Sequence, residues 1–168
     1  MIETERLLLR MPRLEDAEDL LAYAGDPEVT RWIGGGSGDL EETRAKIGEW
    51  LARWERDGVG HFCVVREGRV LGRVGFLTWN PDTWTIDGPQ IELGWTLAQE
   101  HWGHGYATEA ARGARDWLLG ERPAERLISL INPRNVRSIR VADKLGCAPV
   151  ELVDIPRHGK TILWEHPR

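Results

Sequence analysis

The chain has 168 residues, and 22 lysines and arginines against 27 aspartates and glutamates leave it at −5 near neutral pH. That length fits one domain with its own core, and 41% hydrophobic with 29% charged residues argues against global disorder. A pI near 5.6 argues against a general nucleic-acid binder. No apolar run approaches the roughly 18 residues of a membrane helix, and Met1-Ile2-Glu3-Thr4-Glu5-Arg6 lacks the pattern of a signal peptide.

In chain order, Arg6-Leu7-Leu8-Leu9-Arg10 reads as a short buried strand. Ala17, Leu20, Leu21 and Ala24 repeat at helical spacing over 15–24. Gly25 is placed to supply the C′ position, and Asp26-Pro27 to stop continuation. The glycine-rich stretch 34–38 is either a plain linker or a mobile lip over a pocket. Asp39 and Glu42 resemble a capping box for a helix that carries Leu40, Ile47, Leu51 and Trp54 to about residue 55. Strands follow at 61–66 and 70–77 around a Glu67-Gly68-Arg69 turn. A long polar loop is expected over 78–89, then a strand at 90–97. Ala107, Ala110, Ala111, Ala114, Trp117 and Leu118 form one apolar face of a helix over 107–119. A strand at 127–131, a helix at 135–145 closed by Gly146, and strands at 150–155 and 160–164 complete the chain. The order β-α-α-β-β-β-α-β-α-β-β, without repeats or a dividing linker, predicts one α+β domain around a mixed sheet.

Nine tryptophans are the compositional oddity. Most are expected in or near the core, since each joins a large apolar area to one N–H. Trp32, Trp79 and Trp84 fall in loop-like stretches, where lining a pocket is the other reading. Cys63 and Cys147 have neither metal spacing nor a disulfide framework, and read as reduced, buried thiols of a cytoplasmic protein.

The segment from Trp102 through Gly103, His104, Gly105, Tyr106, Ala107 and Thr108 to Glu109 lies between a predicted strand and the strongest predicted helix. Glycines at 103 and 105 permit a tight turn and a close backbone approach. Successive N–H groups at a helix N-terminus form a nest for a phosphate or pyrophosphate. A P-loop ending is absent, and so is the third glycine of a Rossmann fingerprint. A glycine-rich turn that merely connects strand to helix is the competing reading.

Glu92-Leu93-Gly94-Trp95-Thr96-Leu97 followed by His101-Trp102-Gly103-His104-Gly105-Tyr106-Ala107-Thr108-Glu109-Ala110 closely resembles the GNAT N-acetyltransferase superfamily. The branch it looks most like holds the RimJ and RimL ribosomal-protein N-terminal acetyltransferases. Asn135-Val136-Arg137-Ser138-Ile139-Arg140, Lys144-Leu145-Gly146, Glu5 to Arg10 and Asp26-Pro27-Glu28-Val29 also match, so the resemblance covers nearly the whole chain. It implies one GNAT-like α+β domain over residues 1–168, with a central mixed, mostly antiparallel sheet flanked by helices on both faces. It further implies acetyl-CoA as co-substrate and no metal. The superfamily's pyrophosphate pattern maps onto Trp102 through Ala107, with Trp102 standing where Gln or Arg is usual. Thr108, Asn132 and Asn135 join the implied cofactor contacts. Trp95, Thr96 and Leu97 are implied to pair with pantetheine as a strand-like insert between splayed strands.

Acetyl transfer to an amine needs a neutral nucleophile, a polarised thioester and a proton for the departing thiolate. Glu92 alternates with apolar neighbours and is the candidate base. Ser138 is the candidate proton donor to the thiolate. Many superfamily members carry a Tyr four residues further on, where this chain has Ala142. Asn135 is a candidate helix N-cap as well as a ligand contact. Arg134, Arg137 and Arg140 offer a local positive field for a polyanion. Cys147 reads as a packing residue, and His101 and His104 as loop residues within reach of phosphate. The expected acceptor is a peptide N-terminus or small amine, with a cationic one suggested by Glu92, Asp82 and Asp87. Neither nucleic acid nor membrane is expected as a partner, and the final strands offer an edge for a homodimer. The alternative is a non-catalytic acyl-CoA-binding or sensory module of the same fold.

Overall fold

The computed structural model describes residues 1–33, 35–36, 38–79, 88–123, 125–155 and 159–168. The strands are β1 (Ile2–Glu3), β2 (Leu8–Arg10), β3 (His61–Arg66), β4 (Arg69–Trp79), β5 (Gln90–Leu97), β6 (Leu127–Ile131), β7 (Ala148–Ile155) and β8 (Gly159–Glu165). The helices are α1 (Ala17–Ala24), α2 (Pro27–Thr30), α3 (Leu40–Asp57), α4 (Tyr106–Glu121) and α5 (Val136–Lys144). All eight strands join one sheet in the order β1-β2-β3-β4-β5-β6-β8-β7. Every neighbouring pair is antiparallel except β5–β6.

The apolar stripe of α4 is made of small residues. Ala110, Ala111 and Ala114 are completely buried and, with Leu118, bring the helix backbone close to Phe76 and Leu93 of the sheet. Ala142 and Leu145 from the α5 segment join that same core. The other face is covered by Ala17, Leu20, Tyr23 and Ile47 of α1 and α3, packed on Cys63 and Val70. Helices therefore lie on both faces of the sheet, and the glycine-containing turn through Gly103 and Gly105 leads directly into the helix that anchors one of them. Trp164 is buried, while Trp54 and Trp117 bracket Phe62 at ring distances of 4.8 and 5.5 Å from the edge of the core.

Helix boundaries follow from caps. The Asp39 carboxylate accepts from Glu42 N–H at 2.9 Å, and Glu42 reaches back to Gly38 N–H at 2.6 Å, a box shifted by one residue from the expected one. Asn135 caps α5, its side-chain oxygen accepting from Ser138 N–H at 3.2 Å.

Several elements depart from the sequence reading. A turn closed by Thr4 N–H on the Leu7 carbonyl at 2.9 Å takes up Arg6 and Leu7. The expected strand therefore starts at Leu8 and pairs with the unforeseen β1. Gly25 is right-handed, with φ −90°, rather than a left-handed C′ residue. Pro27 does not end helical structure. It occupies the first turn of α2, where its missing N–H costs nothing, and Asp26 caps that turn through Glu28 N–H at 2.9 Å. Strand β4 continues through Thr78 and Trp79, so the polar loop begins later than expected; residues 80–87, with Asp82, Trp84 and Asp87, lie outside the described residues. Within the glycine-rich stretch, Gly34 and Ser37 also lie outside them.

Candidate active site

Strands β5 and β6 pair at only two positions, Ile91 with Leu127 and Glu92 with Ile128, and then part. The next residue of β6, Ser129, donates its hydroxyl to the Leu93 carbonyl at 2.6 Å, so a side chain stands where a ladder amide would. Behind it, His166 Nε2 lies 2.9 Å from the same hydroxyl, and His166 Nδ1 lies 3.3 Å from Cys147 Sγ. Burial lowers the His166 pKa to about 4, so the ring is neutral in this chain of contacts. Beyond Leu93 the inner edge of β5 is left open by the divergence.

A cavity of about 820 Å³ occupies the opening. At one end lies the turn into α4. Gly103 and Gly105 have φ of +82° and +83°, the left-handed region that glycine enters without steric cost. Gly105 is the N-cap of α4. None of the amides from Gly103 to Thr108 donates to a protein acceptor among the described residues, whereas Glu109 N–H closes the first helical turn on Gly105 O. The loop is fixed from outside. Trp102 Nε1 donates to Leu97 O at 2.8 Å, tying it to the end of β5, and Arg137 lies 4.3 Å over the Trp102 ring. Glu109 takes Thr4 Oγ1 at 2.6 Å and the Arg6 backbone N–H at 2.7 Å, and pairs with the Arg6 guanidinium. These contacts hold its carboxyl below the ordinary range against the opposing effect of burial. Arg140 and Lys144 line the same end. An anion met by an amide nest, a helix N-terminus and Arg137 is well matched here.

At the other end stands Glu92, half-buried on the cavity wall. Burial pushes its pKa up to about 7, against the opposing pulls of Trp79 and Arg73. Trp79 Nε1 donates to Glu92 Oε2 at 2.7 Å. That contact stabilises the ionised carboxylate. Trp79→Phe is therefore expected to move the acidic limb of the kcat/KM profile upward by about one pH unit, measured across pH 5.5 to 9.

Trp95, Thr96, Leu97, Trp102, Gly103, Gly105, Tyr106, Ala107, Thr108, Asn132, Asn135, Glu92 and Ser138 all line this one cavity. His104 does not. Its ring stacks beside Tyr106 at 5.6 Å and its carbonyl accepts from Arg6 at 3.2 Å, which places it on the outer side of the loop. Tyr106 is flanked by Arg6 at 4.8 Å and Arg66 at 5.3 Å, and its hydroxyl bonds to Arg66. Ala142 is completely buried in the core and is not part of the lining. Trp32 and Trp79 line the cavity, as one sequence reading allowed. Gly35 and Gly36 instead line a separate hollow of about 230 Å³, which shares Ile33 and Arg73 with the main cavity. Ser129, His61 and Arg73 were not singled out by sequence. Their positions depend on strand register, which local patterning does not contain.

Among the described residues no group of three or more His, Cys, Asp or Glu is placed to hold a metal ion, and no helix is long and apolar enough to cross a membrane. Both cysteines are free and buried, and burial raises the Cys147 pKa to about 11, which leaves it a poor nucleophile.

The acetyltransferase (GNAT) domain model matches residues 6–148. The Bacillus subtilis protein YkkB is 33% identical over 150 residues, covering 85% of this chain and 82% of that one. An acetyltransferase from Agrobacterium tumefaciens superimposes with a TM-score of 0.83 at 28% identity, covering 99% and 94% of the two chains. The aminoglycoside acetyltransferase AAC(6')-Ib shares the fold at 18% identity, with a TM-score of 0.79 over 98% of this chain and 94% of that one. The pairing of a splayed sheet with an amide-lined turn, together with these matches, makes this chain a member of the GNAT acetyltransferase family.

Proposed function

We propose that the chain is a RimJ/RimL-like N-acetyltransferase of the cytoplasm, one domain over residues 1–168. It transfers an acetyl group from acetyl-CoA to a primary amine, a peptide N-terminus or a small amine, by direct attack in a ternary complex. The observation that carries this reading is the single cavity running from the unpaired Gly103–Thr108 amides, past the β5–β6 divergence, to Glu92. In the AAC(6')-Ib structure that shares the fold, coenzyme A is bound together with ribostamycin.

The residues fit the co-substrate. The amides of Gly103, Gly105, Tyr106, Ala107 and Thr108 would hold a pyrophosphate, assisted by Arg137. Trp95, Thr96 and Leu97 offer an unpaired strand edge to the pantetheine amides, and Asn132 and Asn135 flank it. Acetyl-CoA supplies an activated thioester.

Glu92, ionised above pH 7, removes a proton from the ammonium of the acceptor, directly or through one water. The nitrogen then bonds to the acetyl carbon and the carbon–sulfur bond breaks. Ser138 lines the cavity at the start of α5 and is the side chain assigned to relay the nitrogen's second proton, giving its own hydroxyl proton to the thiolate as it takes that one up. Holding both reactants in one enclosed site supplies much of the acceleration.

The test is release of CoA thiol from acetyl-CoA against a panel of amines and free-N-terminal peptides. Amine-dependent release supports the enzyme reading. CoA-induced thermal stabilisation without release from any pool supports the non-catalytic module. Absence of any thermal shift with saturating CoA removes both.

A further inference from the structure

The register of the sheet places three rows of residues on the face that lines the acceptor end. Thr96 stands opposite Arg73, Gly94 opposite Gly75, and Glu92 opposite Leu77. Residues directly opposite one another in an antiparallel pair share a face. The middle row therefore has no side chains. A Cβ built on Gly94 meets nothing within 4 Å, so that half of the floor is open, whereas one built on Gly75 would run into the Gly60 carbonyl and the His61 backbone. His61 of β3 stands opposite Gly75 and borders that floor.

Two groups of this corner are left incompletely met. Arg73 makes no ion pair with a carboxylate among the described residues; it lies 5.4 Å over the Trp50 ring and hydrogen-bonds the buried Tyr23 hydroxyl. His61 is 3% exposed and lines the cavity, yet its Nδ1 has no hydrogen-bond partner. Trp50 stacks on its ring at 5.2 Å. Burial, Arg73 and Arg53 together hold this imidazole neutral. The orphaned ring nitrogen marks a missing polar contact, which a protein interior seldom leaves unmade, and the half-buried guanidinium has no carboxylate paired with it among the described residues.

We propose that the acceptor is a small amine carrying its own carboxylate, an amino-acid-like zwitterion, seated on the Gly75–Gly94 floor. Its carboxylate meets Arg73 and the Nδ1–H of His61, and its amine faces Glu92. The inference rests on the N-acetyltransferase reading above and narrows it. The planar Arg73 guanidinium matches a carboxylate in charge and shape. Arg53 lines the same end, and the other cation there, Arg31, is paired with Glu28. The alternative, a purely cationic acceptor, rests on Glu92, Asp82 and Asp87, of which the two aspartates lie outside the described residues.

The experiment compares free L-amino acids with their carboxamides as acceptors, by CoA thiol release, for the wild type, Arg73→Gln and Arg73→Lys. The wild type is expected to favour the acids at least tenfold in kcat/KM. Arg73→Gln is expected to lose ten- to a hundredfold on acids and less than threefold on amides, with the CoA-induced thermal shift unchanged. Arg73→Lys is expected to recover part of the preference. Equal or better use of amides or peptide N-termini by the wild type overturns the inference and leaves the N-acetyltransferase reading standing. Equal losses on acids and amides in Arg73→Gln overturn it as well. Failure of every acid and amide to be acetylated overturns the inference alone; the N-acetyltransferase reading falls only if the wider panel of amines and peptides is inert as well. Should Arg73→Gln fail to fold, the wild-type ratio of acid to amide decides alone.

Discussion

Glu92→Gln is expected to lower kcat by 10²- to 10³-fold, the contribution of a positioned general base, while leaving CoA affinity within threefold. The remaining rate comes from the co-localisation of amine and thioester. In the wild type, kcat/KM falls as pH drops through about 7, because Glu92 is then protonated and cannot accept the ammonium proton. The variant loses that limb. Its stability moves the other way. A carboxyl whose folded pKa is about 7, against an ordinary 4.5, keeps its proton in the native state over a window where the unfolded chain has released it. The wild-type fold therefore loses stability as pH rises from 4.5 to 7, by about 3 kcal/mol in total, and stays level above. Glu92→Gln removes this cost while its side-chain carbonyl still accepts from Trp79, so it should melt higher than wild type at pH 8 and little differently at pH 5. Thermal scans at the two pH values check the sign, and unchanged turnover in the variant removes Glu92 as the base.

Gly103→Val is expected to abolish most cofactor binding. A β-branched residue at φ +82° is held in a conformation that costs it roughly 1–2 kcal/mol. Its Cβ meets no protein atom within 4 Å, so the fold has room for it. The added side chain stands beside the amides that would face the pyrophosphate. At a hundred times its Kd, CoA stabilises the wild type by about 2.7 kcal/mol, roughly 5–10 °C in Tm for a chain of this size. In Gly103→Val that shift should shrink to nearly nothing at the same CoA concentration, with the KM for acetyl-CoA rising about a hundredfold. A full thermal shift in the variant would show that the turn is not where the cofactor is held.

Much of this architecture is legible in the sequence because its elements carry their own boundaries. The strand expectations at 61–66, 90–97 and 127–131 coincide with β3, β5 and β6, since each is an apolar run bounded by polar or turn residues. Strand β1 and helix α2 have two and four residues, too few for any period to show. The cofactor turn is legible for a different reason: its function is carried by backbone, and glycine is the residue that reports backbone. The acceptor end is not legible locally. It is assembled by the register of three strands, and a bulge between Val64 and Val65 moves that register by one residue. Counting outward from the Glu67-Gly68 turn would set Val74, rather than Gly75, opposite His61. The side chains brought around Gly75 would then be the wrong ones. Trp79 shows the same limit. Its position in a polar stretch is visible, but its hydrogen bond to Glu92 exists only because β4 continues to Trp79, opposite Gln90.

The two-residue junction between β5 and β6 makes the sheet two blades hinged at one corner, five strands on one side and three on the other. Among the described residues, the blades are held together by the Ile91–Leu127 and Glu92–Ile128 pairs, with the Ile91 N–H on the Arg126 carbonyl and the Ser129 hydroxyl on Leu93 beside them. An extended ligand with its own amides, lying in the gap, completes a row of hydrogen bonds that the polypeptide leaves unfinished. If the cofactor lies in that gap as proposed, its occupancy is coupled to the cohesion of the sheet itself. The seam beside Glu92 is its narrowest junction, so the carboxylate proposed as the base sits at the corner from which the two blades part.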